Sequence, residues 1–293
     1  MSFKTSNSFI DAQKRTPTWG KFVEDFSYAP AALERVGTVL QSAHTHNYAS
    51  LLGQNDIFDE FATAMNQSTM RAEDQCTEQW YFDIFQHFLM HFGQTRHVVE
   101  LGCFTGGSTR WLYVTSRLFN FTLDIVDANM DYLAAARARV IDACGEIGPG
   151  VRFFHGDLCT YVDQVARHER RPNTTVHHDG PHTFHECLQD FASLYFIRDT
   201  LLHLIIQDTN LRSAKIDLYS FVDMAAYAVF GKNHPYQPIG RQLQVDAPVW
   251  DAKIYFEDRE PEGKIINMRD AKFYFPHPSV TPDEYFAQRK PAG

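Results

Sequence analysis

Five short β-type runs recur along the middle of the chain, and their spacing constrains the fold more than any other feature. They are HVVELG (97–102), LDIVDAN (123–129), VRFFHGD (151–157), TTVHHDG (174–180) and LLHLIIQD (201–208). Their starts lie 23 to 28 residues apart, which leaves room for one helix and two loops between neighbours. Strands alternating with helices of that length predict βαβ units and a parallel sheet. The intervening segments agree. DYLAAARARVIDAC is rich in strong helix formers. Phe184, Leu188, Phe191 and Tyr195 recur on one helical face between the fourth and fifth runs. Asp127, Asp157, Asp179 and Asp208 each end a strand. In an open parallel sheet ligands bind beyond the carboxyl ends of the strands, so four acids are expected along one ligand-facing edge.

The flanks differ. WDAKIYFED (250–258) and DAKFYFPH (270–277) read as an antiparallel pair added to the sheet edge, joined by REPEGKIINMR. DLYSFVDMAAYAVF (217–230) reads as a helix, and GKNHPYQPIGRQLQVDAP after it as a loop able to serve as a lid. Tyr227, Phe230 and Tyr236 in this region are expected in the core or against substrate. Residues 1–95 read as mostly helical, with candidates in PAALERVGTVLQSA, DIFDEFATAM and EDQCTEQWYFDIFQHFLMHF. No Pro/Gly-rich linker separates them from the sheet. The expected organisation is therefore a helical N-terminal cap or lid over 1–95 on an α/β unit spanning 96–293.

Composition narrows the class. Apolar residues make up 44% and aromatics 14% of 293 residues, enough to build a sizeable core. A formal net charge of −9 argues against nucleic acid or an anionic membrane as partner, because both need a positive field. The five cysteines are scattered and form no C-x-x-C pair, as in a reduced cytoplasmic protein. The N-terminal stretch MSFKTSNSFIDAQKR carries no apolar signal-peptide region, and no apolar run approaches the ~20 residues of a membrane span.

The first run leads into ELGCFTGGSTRWL, a strand, a glycine-bearing loop and a helix start. Glycine lets the backbone turn tightly, and a helix N-terminus presents free N–H groups to a ligand. The dinucleotide fingerprint G-x-G-x-x-G is broken, because Phe104 stands where its second glycine admits a pyrophosphate. Glu100 lies where a carboxylate can accept from an ammonium group, and Asp127 where one can pair with ribose hydroxyls. His155-Gly156-Asp157 ends the third strand, beside the place of an adenine. An amine, a ribose and an adenine without phosphate describe S-adenosylmethionine (SAM).

ELGCFTGGST, VDANMDYLAAA, FHGD, HHDGPH and LIIQDTN, in this order and spacing, resemble class I SAM-dependent methyltransferases. The nearest flavour is the catechol and caffeoyl-CoA type of O-methyltransferase, with the sugar O-methyltransferases of macrolide pathways. The resemblance covers roughly residues 95–210. It implies a Rossmann-like, doubly wound, mostly parallel sheet with an antiparallel C-terminal edge hairpin. It also implies that Glu100, Gly102, Cys103, Phe104, Gly106 and Ser108 contact the methionine end of SAM. Asp127 would hold the ribose and Asp157 the adenine side.

The histidine-rich TTVHHDGPHTFHECLQDF (174–191) then falls at the end of the fourth strand. Its histidines match neither H-E-x-x-H nor a Cys/His zinc spacing. In catechol-type enzymes an acid here and an acidic pair after the fifth strand hold Mg²⁺. Asp179 and Asp208 match those positions, and Thr209 stands where a third ligand, Asn or Asp, is usual; Asn210 follows it. His182 occupies the place of the family's general base, for which an imidazole is suited. His177, His178 and His185 are expected to be structural or substrate-lining, and Glu186 and Asp190 to face solvent on the following helix. The expected reaction is methyl transfer to a hydroxyl of a small molecule such as a natural product, sugar or phenol, with or without magnesium. The alternatives are an NAD(P)-dependent oxidoreductase, a methyltransferase-like binding subunit without turnover, and metal-dependent hydrolysis through the histidines. A homodimer through the N-terminal helices is a further expectation.

Overall fold

The computed structural model describes residues 11–37, 51–66, 76–213, 221–240, 254–256 and 260–274. All five runs form strands: β2 (His97–Leu101), β3 (Thr122–Asp127), β4 (Val151–His155), β5 (Thr174–His178) and β6 (Leu201–Ile206). They are parallel and lie in the order β4-β3-β2-β5-β6. The order reverses between β2 and β5, the switch point where such sheets leave a crevice. Leu101 is level with Val126 and His178, and His178 with Ile206, so the turns after β2, β3, β5 and β6 emerge along one edge.

Three further strands complete an eight-stranded sheet. The N-terminal segment contributes β1 (Lys21–Phe22), antiparallel to β4. On the other side β10 (Gly263–Asn267) runs antiparallel to β6, and β8 (Gln237–Ile239) antiparallel to β10. The antiparallel edge is thus present, but its strands are not the expected ones. IYF forms β9 (Ile254–Phe256), which pairs with β7 (Leu211–Ser213) outside the main sheet. KIIN, read as part of a connector, is the strand at the edge of β6, and 271–274 is irregular. The remainder of 250–258, and 275–277, lie outside the described residues. The reason is packing. A Cβ on Gly263 would stand 2.1 Å from the Trp80 ring, so the indole sits directly on this backbone. Lys264 is buried with its ammonium against Glu260 and the Tyr227 hydroxyl.

Helices cover both faces, as β-strand alternation demands. One face of the sheet, with Val98, Leu123, Ile125, Phe153 and Ile205, packs on α3 (Glu78–Met90), α4 (Gly107–Phe119) and α5 (Met130–Cys144). On that side Phe58 of α2 (Asp56–Asn66) is fully buried, edge-on to Phe82 and Phe85. The other face, with Val99, Val126, Phe154, Val176, Leu204 and Ile206, packs on α6, α7 and α8. These are α6 (Leu158–Tyr161, prolonged by a π-helical turn Val162–Ala166 and by Arg167–Glu169), α7 (Phe184–Ser193) and α8 (Val222–Phe230). α1 (Ala29–Val36) lies along α5, where Arg35 forks onto Asp131. Phe230 is in the core, and the Tyr236 hydroxyl donates to the Gly231 carbonyl. Among the described residues no helix is long and apolar enough to cross a membrane.

Candidate active site

The loop after β2 is held by positive-φ turns. Gly102 has φ +80° and Gly106 φ +88°, and neither position has space for a side chain. A Cβ on Gly102 would lie 1.9 Å from the Asp179 carbonyl oxygen, and one on Gly106 2.5 Å from Ala136 Cα. The two glycines therefore bring the loop hard against the end of β5 and against α5. Phe104, between them, takes φ +42°, and its ring meets Tyr132 edge-on at 4.9 Å.

Two buried carboxylates sit under this loop. Glu100 is fully buried, and its Oε1 accepts from the Ser108 hydroxyl of α4 at 2.6 Å. Its Oε2 is buried with no hydrogen-bond partner. Burial pushes the Glu100 pKa up to about 8, against the pull of the Ser108 bond and of the nearby Thr109 hydroxyl, which makes no hydrogen bond to it. Asp127 Oδ2 accepts the backbone N–H groups of Cys103 (2.9 Å) and Phe104 (3.3 Å), and Oδ1 accepts that of Asn129 (2.7 Å). Burial raises its pKa to about 6, with these N–H groups opposing. Asp127 thus clamps the glycine loop to the end of β3. Cys103 is buried and turns its thiol toward the same carboxylate.

Asp157 caps α6, accepting the Thr160 N–H at 2.7 Å, and pairs with Lys14 at 3.2 Å. The N-terminal segment covers this end of the sheet. His155 is held between the Thr18 hydroxyl (2.9 Å) and the Ala128 carbonyl (3.2 Å), with Trp19 edge-on at 5.2 Å. Sequence reasoning missed this cover, because nothing local in TPTWGKF signals pairing with a strand over a hundred residues away.

Beyond the switch point Asp179, His182 and Asp208 converge. Their potential ligand atoms lie within 4.8 Å of one another. His182 Nε2 stands 2.8 Å from Asp208 Oδ2 and 4.0 Å from Asp179 Oδ1. Burial pulls the imidazole pKa down, but the two carboxylates outweigh it and hold it well above the ordinary value. Asp208 adopts φ +56°, a left-handed turn that ends the run of β6. Thr209 is fully buried and donates its hydroxyl to the Pro261 carbonyl at 2.7 Å. Asn210 is fully buried, and both polar atoms of its side chain are without a hydrogen bond.

The rest of the histidine-rich stretch divides by strand face. His177 is buried against Trp80. His178 Nε2 meets Asp190 Oδ2 at 3.0 Å. Asp190, expected to face solvent, is only 4% exposed, because α7 turns that position onto β5. Thr183 caps α7: its hydroxyl accepts the Glu186 N–H and donates to the Glu186 carboxylate. His185 is exposed.

No family model matches the sequence, and no curated protein matches it. Similar solved structures include the O-methyltransferase from Bacillus cereus in complex with SAH, at 13% identity over 80% of this chain and 95% of that chain (TM-score 0.44). Cofactor-bound Rv0187 from MTB shares 14% identity over 74% and 91% (TM-score 0.44). A SAM-dependent methyltransferase from Geobacter sulfurreducens in complex with S-adenosyl-L-homocysteine shares 16% over 54% and 58% (TM-score 0.36). The likeness is to O-methyltransferases and SAM-dependent methyltransferases, and it is a likeness of fold.

Proposed function

We propose that this chain binds SAM at the ends of β2 and β3 and transfers its methyl group to a hydroxyl of a small molecule. The observation that carries the reading is Glu100. A fully buried carboxylate with one oxygen satisfied by Ser108 and the other unpartnered is costly to keep, unless a ligand supplies the missing donor. An α-ammonium group does so, and it also favours the ionised carboxylate. Gly102 and Gly106 shape the loop beside it, and Asp127 holds that loop with one lone pair of Oδ1 left for a ribose hydroxyl. Phe104 in place of a glycine suits a ligand without pyrophosphate, which weighs against a dinucleotide.

SAM, when bound, supplies an electrophilic methyl group on a sulfonium. The residues across the switch point belong to the acceptor. His182, flanked by Asp179 and Asp208, is positioned to hold and move a proton at Nε2, and its neutral form is the base for the acceptor hydroxyl. The two carboxylates also fit a divalent cation. Asp179 and Asp208 would hold Mg²⁺, which when bound would gather and acidify the oxygens of a diol. Alignment of hydroxyl and methyl group is then the main contribution of the fold.

The test is calorimetric titration with SAM, with and without Mg²⁺, on the intact chain and on Glu100→Gln. It is followed by a radiolabelled methyl-transfer screen over sugars, phenols and catechols. Micromolar binding that is lost in the variant is expected; a folded chain that binds no SAM refutes the reading.

A further inference from the structure

A second cluster lies at the opposite end of the sheet, and the proposed methyl transfer makes no use of it. His87 and His91 are one turn apart at the end of α3, and His203 is near the start of β6. The three rings cluster, His87 edge-on to His203 and the other two pairs tilted, with centroids 4.4 Å (His87–His203), 4.5 Å (His91–His203) and 4.6 Å (His87–His91) apart. A ring nitrogen of each lies within 4.8 Å of the other two. His87 is 1% and His203 4% exposed, while His91 is half-buried. Both ring nitrogens of His87, and Nδ1 of His91 and of His203, are buried without a hydrogen-bond partner.

The geometry points to a zinc site formed by His87, His91 and His203, with the fourth coordination position open to water. Four unpartnered ring nitrogens in one buried cluster are hard to explain as packing, since each forfeits about 1–3 kcal/mol of hydration. A metal ion takes one lone pair from each ring, three in all, and leaves only the second nitrogen of His87, an N–H, without a partner. Imidazole nitrogen suits zinc and the neighbouring late divalent metals, whereas magnesium and calcium require oxygen. Tetrahedral zinc with bonds of 2.0–2.1 Å places its nitrogens about 3.3 Å apart, so small side-chain rotations bring these within range. Neutral imidazole is the form that binds metal. One neighbour opposes the ion: Arg269 lies close enough to His203 to repel it, although its guanidinium is bonded to Asn173 Oδ1. The spacing H-x-x-x-H puts two ligands on one helical face, and His203 reaches them only because β6 passes beneath α3.

The ion would pin the end of α3 to the sheet. The experiment is a Co²⁺ titration of the tag-free, chelator-treated full chain, read by visible d–d absorption and reversed by Zn²⁺. His91→Asn, His203→Gln and Asp208→Asn are titrated in parallel, with circular dichroism to verify folding. One equivalent of tetrahedral Co²⁺ is expected in the intact chain and in Asp208→Asn, with affinity falling about tenfold or more in each histidine variant. A folded intact chain without tetrahedral absorption overturns the proposal. So does absorption that survives in the histidine variants and vanishes in Asp208→Asn, since the ion then sits between the carboxylates. Should a histidine variant fail to fold, anomalous scattering from zinc-soaked crystals of the intact chain decides: a peak among the three rings supports the site, and none there overturns it.

Discussion

Replacing Glu100 with glutamine separates what the carboxylate costs the fold from what it does for a ligand. Glu100 is fully buried, and burial raises its pKa from 4.5 to about 8. The folded state therefore holds this proton more tightly than the unfolded state. Stability is greatest below the ordinary carboxylate range and falls as pH rises toward 8, after which the loss is constant. A gap of about 3.5 units corresponds to roughly 5 kcal/mol across the whole window, at about 1.36 kcal/mol per unit. Between pH 6.5 and 9 only the upper part is crossed, so the loss there is about 2 kcal/mol. Glutamine keeps the shape, can still bond Ser108 and does not ionise. Urea unfolding followed by tryptophan fluorescence at pH 6.5 and 9 is the assay. The variant is expected to gain about 2 kcal/mol on the intact chain in going from the lower pH to the higher one. Taking the difference between the two proteins cancels the titrating groups that do not interact with Glu100. Parallel pH slopes would refute the burial argument. A variant destabilised by several kcal/mol at both values would show instead that the carboxylate is satisfied in the fold.

SAM binding below pH 8 should release close to one proton as Glu100 ionises against the ammonium, seen as a binding heat that varies with buffer ionisation enthalpy and is absent in Glu100→Gln. Gly102→Ala should destabilise the chain by about 3 kcal/mol or more and weaken SAM binding, because its Cβ meets the Asp179 carbonyl at 1.9 Å and its φ is +80°; an unchanged melting temperature would count against the loop contact. Asp190→Ala should cost about 2–4 kcal/mol by leaving His178 buried and unpaired, measured by denaturant unfolding. Phe58→Ala should cost about 3–5 kcal/mol by opening a cavity beneath Phe82 and Phe85. Arg35→Ala should leave the same measurement unchanged, since its pair with Asp131 is open to solvent.

The sequence by itself determined the five parallel strands, their intervening helices and the acids at their ends. These are local signals: β-type runs, helical periodicity, glycines before a helix and an aspartate after a strand are each written within a dozen residues. The strand register then brings Asp127, Asp179 and Asp208 to one edge, as such a sheet requires. Tertiary structure decided the rest. Three C-terminal runs had comparable β character, and the fit of Gly263 beneath Trp80 selected KIIN as the strand beside β6. Asp190 reads as a surface residue until the face of α7 is set against β5 and His178 claims it. Thr209 and Asp208 are adjacent in the chain, yet the left-handed turn at Asp208 sends one toward His182 and the other to the Pro261 carbonyl. His87 and His91 show two of the three clustered imidazoles to anyone reading the helix, and His203 joins them only when the sheet passes below. Local pattern fixes which faces are apolar and where the chain turns. Partners distant in sequence are chosen by the free energy of burying those faces together, which no short window of residues contains.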